Sequence, residues 1–239
     1  MEVSPYPDGI SVVLPAFNEE DNIDQSVKSV VESLTELNFP RFEIILVDDG
    51  STDRTGAKAE EWAARDARVK VIRHSINLGY AKALKSGFEK AKEKLVFYTD
   101  SDNQFDLKEL KLLLDHIDNS DIVTGFRVYR FDPLTRLVLS WGFNLLVRIV
   151  FRIRAKDIDC AFKLFRREVL EQINIESRQF FVDAEVLAKA SYLGYRIKEI
   201  PVRHYPRSAG RSTIRPTHIP YTIWELSKMW INIYIRKRI

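Results

Sequence analysis

The sequence predicts an α/β protein, with a mostly parallel central sheet flanked by helices. Between residues 10 and 125, short apolar runs alternate with longer segments whose apolar positions recur at helical spacing. This alternation is typical of sheets with parallel strands and helices on both faces. The 239 residues can bury a substantial core, so we expect one large domain followed by a C-terminal appendage.

The predicted elements follow one another along this half of the chain. Residues 10–14 form an apolar strand that ends at Pro15, and Asn18 is placed to cap the next helix. In that helix, apolar residues recur at helical spacing from Ile23 to Leu34. The sequence then predicts strands at 43–47, 69–72, 94–98 and 121–124, separated by helices at 55–65, 80–91 and 107–117.

Polar segments follow the ends of four predicted strands. The carboxyl ends of parallel strands share one edge of the sheet, where open α/β proteins bind their ligands, so we expect these segments to meet. Taken singly, the second and third would equally suit a turn or a helix cap. The four segments are Asn18-Glu19, Asp48-Asp49-Gly50-Ser51, Asn77-Leu78-Gly79 and Asp100-Ser101-Asp102.

Two carboxylates, Asp100 and Asp102, flank one serine directly after the apolar run 95–98. Mg²⁺ takes only one or two protein carboxylates and completes its shell with water and substrate phosphate oxygens. The pair therefore predicts a divalent cation that carries the phosphates of a nucleotide.

Charge and cysteine content exclude several classes of protein. The net charge of +3 is too small for a nucleic-acid-binding protein, although the arginines concentrate in the second half, which we expect to meet anions. The single cysteine, Cys160, allows no intrachain disulfide and suits a reducing, cytoplasmic setting. Neither a signal-peptide pattern nor an uninterrupted apolar run of about 18 residues is present in the sequence.

Together the motifs resemble those of family 2 glycosyltransferases, and most closely the dolichyl-phosphate mannose synthase branch of polyprenyl-phosphate glycosyltransferases. The likeness covers residues 8–215 and rests on the segments 13–19, 47–55, 77–79 and 100–104. It implies a glycosyltransferase A-type, Rossmann-like catalytic domain over residues 1–215. Its ligands would be a GDP- or UDP-hexose donor, a Mg²⁺ or Mn²⁺ ion and a polyprenyl phosphate acceptor.

The resemblance also implies that two parts of the catalytic domain bind different substrates. Residues 8–125 would bind the nucleotide sugar and residues 126–215 the acceptor. The residues expected to border the nucleotide sugar are Pro15, Ala16, Phe17, Glu19, Asp48, Asp49, Asn77, Gly79, Asp100 and Ser101. For the contact with the base, Asp49 is preferred over Asp48. The expected metal ligands are Asp100, Asp102 and Gln104.

A further set of residues is expected to act on the phosphates or the acceptor, again by resemblance. It consists of Asp102, Arg127, Arg136, Asp159 and Arg207. Arg127 lies in Gly-Phe-Arg where the family has Gly-Ser-Arg, and Arg207 opens a basic loop in which Thr213 replaces a lysine. Asp183 also has a counterpart in the family, but its place equally suits a helix N-terminus.

The acceptor decides whether a general base is needed. A polyprenyl phosphate is already ionised at neutral pH and can attack the anomeric carbon directly, which inverts its configuration. Cations are then needed to bring two anions together and to neutralise the leaving diphosphate. A sugar-hydroxyl or other soluble acceptor is the alternative, and it would need Asp159 as base.

Two amphipathic segments suggest where the lipid is met. Residues 134–153 combine apolar positions at helical spacing with an arginine stripe, and residues 216–239 mix aromatic residues with a basic end. Both suit a membrane interface with anionic headgroups, so we expect peripheral attachment to the cytoplasmic face of the membrane. Core packing of the first segment and a homodimer built on either segment are the alternatives.

Overall fold

The computed structural model describes residues 8–129, 134–177, 181–206 and 219–239, with the backbone alone for 135, 136 and 219–221. Seven strands in these ranges form one sheet: β1 (Ile10–Ala16), β2 (Phe42–Asp48), β3 (Val69–Arg73), β4 (Leu95–Thr99), β5 (Ile122–Arg127), β6 (Phe162–Arg166) and β7 (Ile197–Val202). Their spatial order is β3-β2-β1-β4-β6-β5-β7. All neighbours pair in parallel except β6, which is antiparallel to β4 and β5.

Helices cover the sheet. They are α1 (Ile23–Glu36), α2 (Thr55–Arg65), α3 (Tyr80–Lys90), α4 (Leu110–Ile117), α5 (Leu134–Phe151), α6 (Arg167–Gln172), α7 (Val182–Tyr192) and α8 (Ile219–Trp230). A 3₁₀ turn precedes α4, and α8 continues into a π-helical turn, Ile231–Ile235. This mostly parallel sheet flanked by helices confirms the predicted fold class. None of the helices in the described ranges is both long and apolar enough to cross a membrane.

Two local predictions about the first strand and helix were wrong. The strand continues through Pro15 to Ala16, because pairing with β4 ends at Val13 and the proline lies beyond that ladder. Asn18 does not cap α1, which begins at Ile23. Asn18 instead adopts a positive φ of 55° and its side chain accepts a hydrogen bond from the Thr52 N–H at 2.9 Å. It therefore joins two loops rather than starting a helix.

The predicted apolar face of α1 is buried, and Ile23, Val27 and Leu34 have no exposed surface. The C-terminal segment also packs on the domain. Ile233 is fully buried, and the Tyr234 ring stacks on an α5 phenylalanine with ring centroids 6.5 Å apart. The segment predicted as an appendage thus contributes one face to the core.

Candidate active site

Four loops at one edge of the sheet are joined by hydrogen bonds. They follow the carboxyl ends of β1 to β4. The Asn18 N–H donates to Ser51 Oγ at 3.0 Å, which joins the first loop to the second. Ser101 Oγ donates to the Pro15 carbonyl at 2.8 Å, which joins the fourth loop to β1. Asp49 in the second loop accepts from the backbone of the third. The four polar segments therefore meet, as their positions predicted.

Asp49 holds the third loop in place. Its Oδ1 accepts from the Leu78 N–H at 3.0 Å and lies 2.6 Å from His74 Nδ1, while its Oδ2 accepts from the Gly79 N–H at 2.8 Å. Gly79 has a φ of 94°, a conformation that favours glycine. Because both carboxylate oxygens are engaged inside the protein, the geometry does not favour Asp49 for the base contact.

The neighbouring Asp48 is the better candidate for that contact. Its Oδ1 accepts from the Ser51 N–H at 2.9 Å. Its buried Oδ2 lies 3.1 Å from Arg73 Nε, yet accepts no hydrogen bond within the described residues. A Cβ on Gly56 would lie only 2.4 Å from this oxygen, so the glycine leaves room for the carboxylate and its arginine. A buried oxygen in this state gains from an N–H donor such as a base edge.

The carboxylates after β4 are fixed by their surroundings. The Tyr80 hydroxyl donates to Asp100 Oδ1 at 2.8 Å. Between the two carboxylates, the Ser101 carbonyl accepts from Ser26 Oγ at 2.8 Å, which fastens the turn to α1. Asp102 is buried, and its Oδ1 accepts from the Gln104 N–H at 3.2 Å. The chain therefore places Asp100 and Asp102 on one short, tightly held turn.

Gln104, the third predicted metal ligand, is held to the segment that follows β7. Its side-chain amide donates to the Tyr205 carbonyl at 2.9 Å, and the Tyr205 N–H donates to the Gln104 carbonyl at 2.8 Å. The described residues contain no cluster of three or more His, Cys, Asp or Glu side chains arranged around a metal. Two carboxylates and an amide oxygen nevertheless fit a hard cation that takes its other ligands from water and phosphate.

Arg127 is engaged by a carboxylate in the segment between α5 and β6. Its Nε and Nη2 lie 2.7 and 2.6 Å from the two oxygens of Asp157, and its N–H donates to the same carboxylate at 3.1 Å. Both side chains are largely buried. Asp157 is in turn held by its own N–H, which donates to Glu199 Oε1 at 2.9 Å. The bidentate ion pair thus holds the Arg127 guanidinium in one position, so Arg127 is not a mobile cation.

Asp159 lies beside this pair in an environment that disfavours its charge. Its Oδ1 is buried without a hydrogen-bond partner among the described residues. Burial, and then the carboxylates of Asp183 and Asp157, raise the pKa of Asp159 to about 7 from its ordinary value of 3.8. The side chain can therefore gain or lose a proton near neutral pH.

A buried lysine compensates part of this negative charge. Lys163, on β6, has almost no exposed surface, and its Nζ lies 2.6 Å from Asp183 Oδ1 and 3.0 Å from the Tyr98 hydroxyl. The same ammonium donates to the Cys160 carbonyl at 2.5 Å. The Tyr98 hydroxyl also donates to Asp183. Asp183, whose place the sequence left open between a site and a helix N-terminus, lies in the first turn of α7 and forms a buried ion pair with Lys163.

A cavity of about 260 Å³ opens between the end of β5 and α5. It combines apolar side chains with three cations, and the Asp157 carboxylate, which also lines it, pairs with one of them, Arg127. Its lining includes Phe126, Arg127, Leu137, Trp141, Leu145, Arg148 and Lys156. Such a lining suits a ligand that is anionic at one end and apolar at the other.

Comparison with known proteins decides the family. A model described as glycosyl transferase family 2 matches residues 11–173, which is most of the chain. The chain belongs to glycosyl transferase family 2. This confirms the resemblance that the motifs indicated.

Curated relatives of this family 2 glycosyltransferase include enzymes named for polyprenyl phosphates. It is 35% identical over 208 residues to glycosyltransferase AglD of Haloferax volcanii, covering 83% of this chain and 33% of that protein. It is 29% identical over 234 residues to polyprenol monophosphomannose synthase of Mycolicibacterium smegmatis, covering 92% of this chain and 86% of that protein. It is 31% identical to dolichol-phosphate mannosyltransferase of Pyrococcus furiosus, and the match covers 86% of this chain and 59% of that protein. The chain thus spans only part of some relatives.

A solved structure has the same fold. Glucosyl-3-phosphoglycerate synthase from Mycobacterium tuberculosis, in complex with Mn²⁺, UDP and glucosyl-3-phosphoglycerate, superimposes with a TM-score of 0.68 at 19% identity. The match covers 95% of this chain and 80% of that one. It confirms the glycosyltransferase A-type architecture.

The other residues predicted for the site of this glycosyltransferase fall into three groups. Ala16 is buried at the end of β1, and Glu19 accepts from Asn22 at 2.7 Å, so both support the loop. Phe17 is half-exposed and Asn77 exposed, so both are accessible to a ligand. The Arg136 side chain and all of Arg207 lie outside the described residues. Sequence reasoning missed two residues that the structure brings to predicted site residues: Tyr80, which contacts Asp100, and Asp157, which contacts Arg127.

Proposed function

We propose that this glycosyltransferase moves a hexose, mannose or glucose, from a GDP- or UDP-hexose to a dolichyl-type polyprenyl phosphate. The anomeric configuration is inverted, and the reaction takes place at the cytoplasmic face of the membrane. Relatives named for polyprenyl-phosphate mannose synthesis support the substrate class. The observation that carries the proposal is the cavity lined by α5, because its cations and its apolar side chains match the two parts of a lipid phosphate.

The donor occupies the edge formed by the four loops. Asp48 meets the base, and the accessible Phe17 and Asn77 border the nucleoside. Asp100, Asp102 and Gln104 hold a Mg²⁺ or Mn²⁺ ion, which supplies positive charge to the diphosphate.

The acceptor phosphate enters from the cavity. Arg148 and Lys156 attract the phosphate, while Leu137, Trp141 and Leu145 contact the first part of the lipid. Arg127 lines the same cavity but is paired with Asp157, so it shapes the cavity and adds little net positive charge to it. Arg136 and Arg207 supply further positive charge in this proposal.

Two helices provide the membrane contact. Exposed apolar side chains on α5, on α8 and on the π-helical turn are here called the apolar face: Leu134, Val138, Trp141, Ile149, Ile223, Trp224, Trp230 and Ile235. Trp141 is 67% exposed and Trp224 66%. Residues 134–154 contain no Asp or Glu, and Arg236, Lys237 and Arg238 follow the π-helical turn. An apolar face bordered by positive charge favours a bilayer with anionic lipids over an acidic or neutral partner.

Vesicle flotation tests this contact. The full chain is mixed with vesicles of equal parts phosphatidylcholine and phosphatidylglycerol, and the W141S/W224S variant is compared with wild type. We expect wild type to float with the vesicles and the variant to stay at the bottom. Leu112→Ser on α4, which removes an exposed apolar side chain outside the apolar face, should float like wild type. Wild type that does not float, or that sediments as a stable dimer through this face, would contradict the membrane assignment.

The transfer reaction itself is tested by product extraction. Purified chain is incubated with polyprenyl phosphate, Mn²⁺ and a panel of labelled nucleotide sugars. We expect label from one GDP- or UDP-hexose to enter the organic phase. No label from any donor, with the same protein shown to bind nucleotide, would reject the lipid acceptor.

The pKa of Asp159 supports one alternative, transfer to a sugar hydroxyl or other soluble acceptor. A carboxylate that titrates at about pH 7 is suited to act as a general base. In that case Asp159→Asn should abolish turnover while donor binding is kept. With a polyprenyl phosphate acceptor, which needs no base, the variant should keep substantial turnover.

A further inference from the structure

Tyr80 links the loop that follows β3 to a carboxylate that follows β4. It is the first residue of α3, and its hydroxyl donates to Asp100 Oδ1 at 2.8 Å. The ring is partly buried against the core of the domain, which limits where the hydroxyl can go. A phenol that donates to a carboxylate forms a charge-assisted hydrogen bond, one of the stronger kinds.

The start of α3 is itself fixed. Asp49 accepts hydrogen bonds from the N–H groups of Leu78 and Gly79, the two residues that precede Tyr80. The Asp49 N–H donates to the Ala16 carbonyl at 2.9 Å, so this carboxylate is tied to the end of β1. Hydrogen bonds thus run from β1 through Asp49 to Gly79, the residue before Tyr80, and the Tyr80 hydroxyl continues to Asp100.

We propose that Tyr80 is a positioning residue, which orients the Asp100 carboxylate for the divalent cation. This inference rests on the proposed function, in which Asp100 is a ligand of that cation. Mg²⁺ and Mn²⁺ demand near-ideal octahedral geometry, so a carboxylate that rotates freely binds them less well. Groups that hydrogen-bond metal ligands typically contribute 10- to 100-fold in metal affinity.

The test compares Tyr80→Phe with wild type in Mn²⁺ binding. Binding is measured from the electron paramagnetic resonance signal of free Mn²⁺, with the full chain and saturating UDP or GDP. We expect the Mn²⁺ dissociation constant to rise about 10- to 100-fold in the variant. Tyr98→Phe is the matched control, because it removes a buried hydroxyl that donates to Asp183 and not to Asp100. Its Mn²⁺ affinity should stay close to that of wild type.

Turnover gives a second readout that a purely structural defect would not reproduce. Excess Mn²⁺ should restore the kcat of Tyr80→Phe, because the remaining ligands still bind the ion when it is abundant. Unchanged Mn²⁺ affinity in Tyr80→Phe, or equal losses in Tyr80→Phe and Tyr98→Phe, would overturn the role of Tyr80. Wild type that binds no Mn²⁺ with either nucleotide would overturn the proposed function and this inference with it.

Discussion

Replacement of Asp159 by asparagine should change the pH dependence of stability in a defined direction. The pKa of Asp159 is about 7 in the folded chain and near its ordinary 3.8 when unfolded. Between pH 3.8 and pH 7 the folded chain keeps a proton that the unfolded chain has released, so the free energy of unfolding falls as pH rises. This loss of stability is complete above pH 7. The asparagine variant lacks this titration.

The magnitude follows from the pH range that is measured. Two pH units separate pH 5 from a pKa of about 7, and each unit corresponds to 1.36 kcal/mol, which gives ~3 kcal/mol. The advantage of Asp159→Asn over wild type in free energy of unfolding should therefore grow by ~3 kcal/mol from pH 5 to pH 8. Urea unfolding at several pH values, without divalent metal, measures it.

Asp121→Asn is the control for this experiment. The pKa of Asp121 is lowered, chiefly by the hydrogen bonds from Arg196, so its titration lies below pH 5. Its effect on unfolding should be destabilising and constant from pH 5 to pH 8. A constant difference for Asp159→Asn over the same range would refute the account of its environment.

Three further outcomes are expected. Gly50→Ala should destabilise the chain by roughly 1–3 kcal/mol and weaken nucleotide binding, because its Cβ would lie 2.3 Å from the Ile76 backbone at a φ of 71°. Gly194→Ala, with a φ of 84° and open space around the Cβ, should cost less in urea unfolding and leave nucleotide binding unchanged. Asp157→Asn should cost roughly 3–5 kcal/mol in the same assay, since it leaves the Arg127 guanidinium buried without its carboxylate. A loss below about 1 kcal/mol would show that the pair is not energetically coupled.

The order of elements in the first half could be predicted because each strand is an apolar run and each helix has a single apolar face. The meeting of the four loops followed from the rule that parallel strands end at one edge. The second half was harder to predict. The insertion of β6 antiparallel between β4 and β5 depends on pairing between distant residues, such as Leu95 with Arg166, that no local pattern records.

The roles of individual polar residues were also only partly predictable. Asp48 and Asp49 are adjacent and chemically identical, and only the backbone decides that Asp49 faces the third loop. Lys163 had one available signal, a charged residue inside the otherwise apolar run 162–165. A buried lysine in a strand requires a carboxylate partner, yet the sequence could not show that the partner is Asp183.

We infer that a cation held beside β4 lets this chain transfer a hexose to a polyprenyl phosphate. The most direct measurement is the rate at which labelled hexose enters polyprenyl phosphate as Mn²⁺ is increased, for wild type and for Asp102→Asn. We predict that wild type transfers label in proportion to its bound Mn²⁺ and that the variant loses nearly all transfer. Equal transfer by the two proteins, or transfer that persists after the metal is chelated, would contradict the claim.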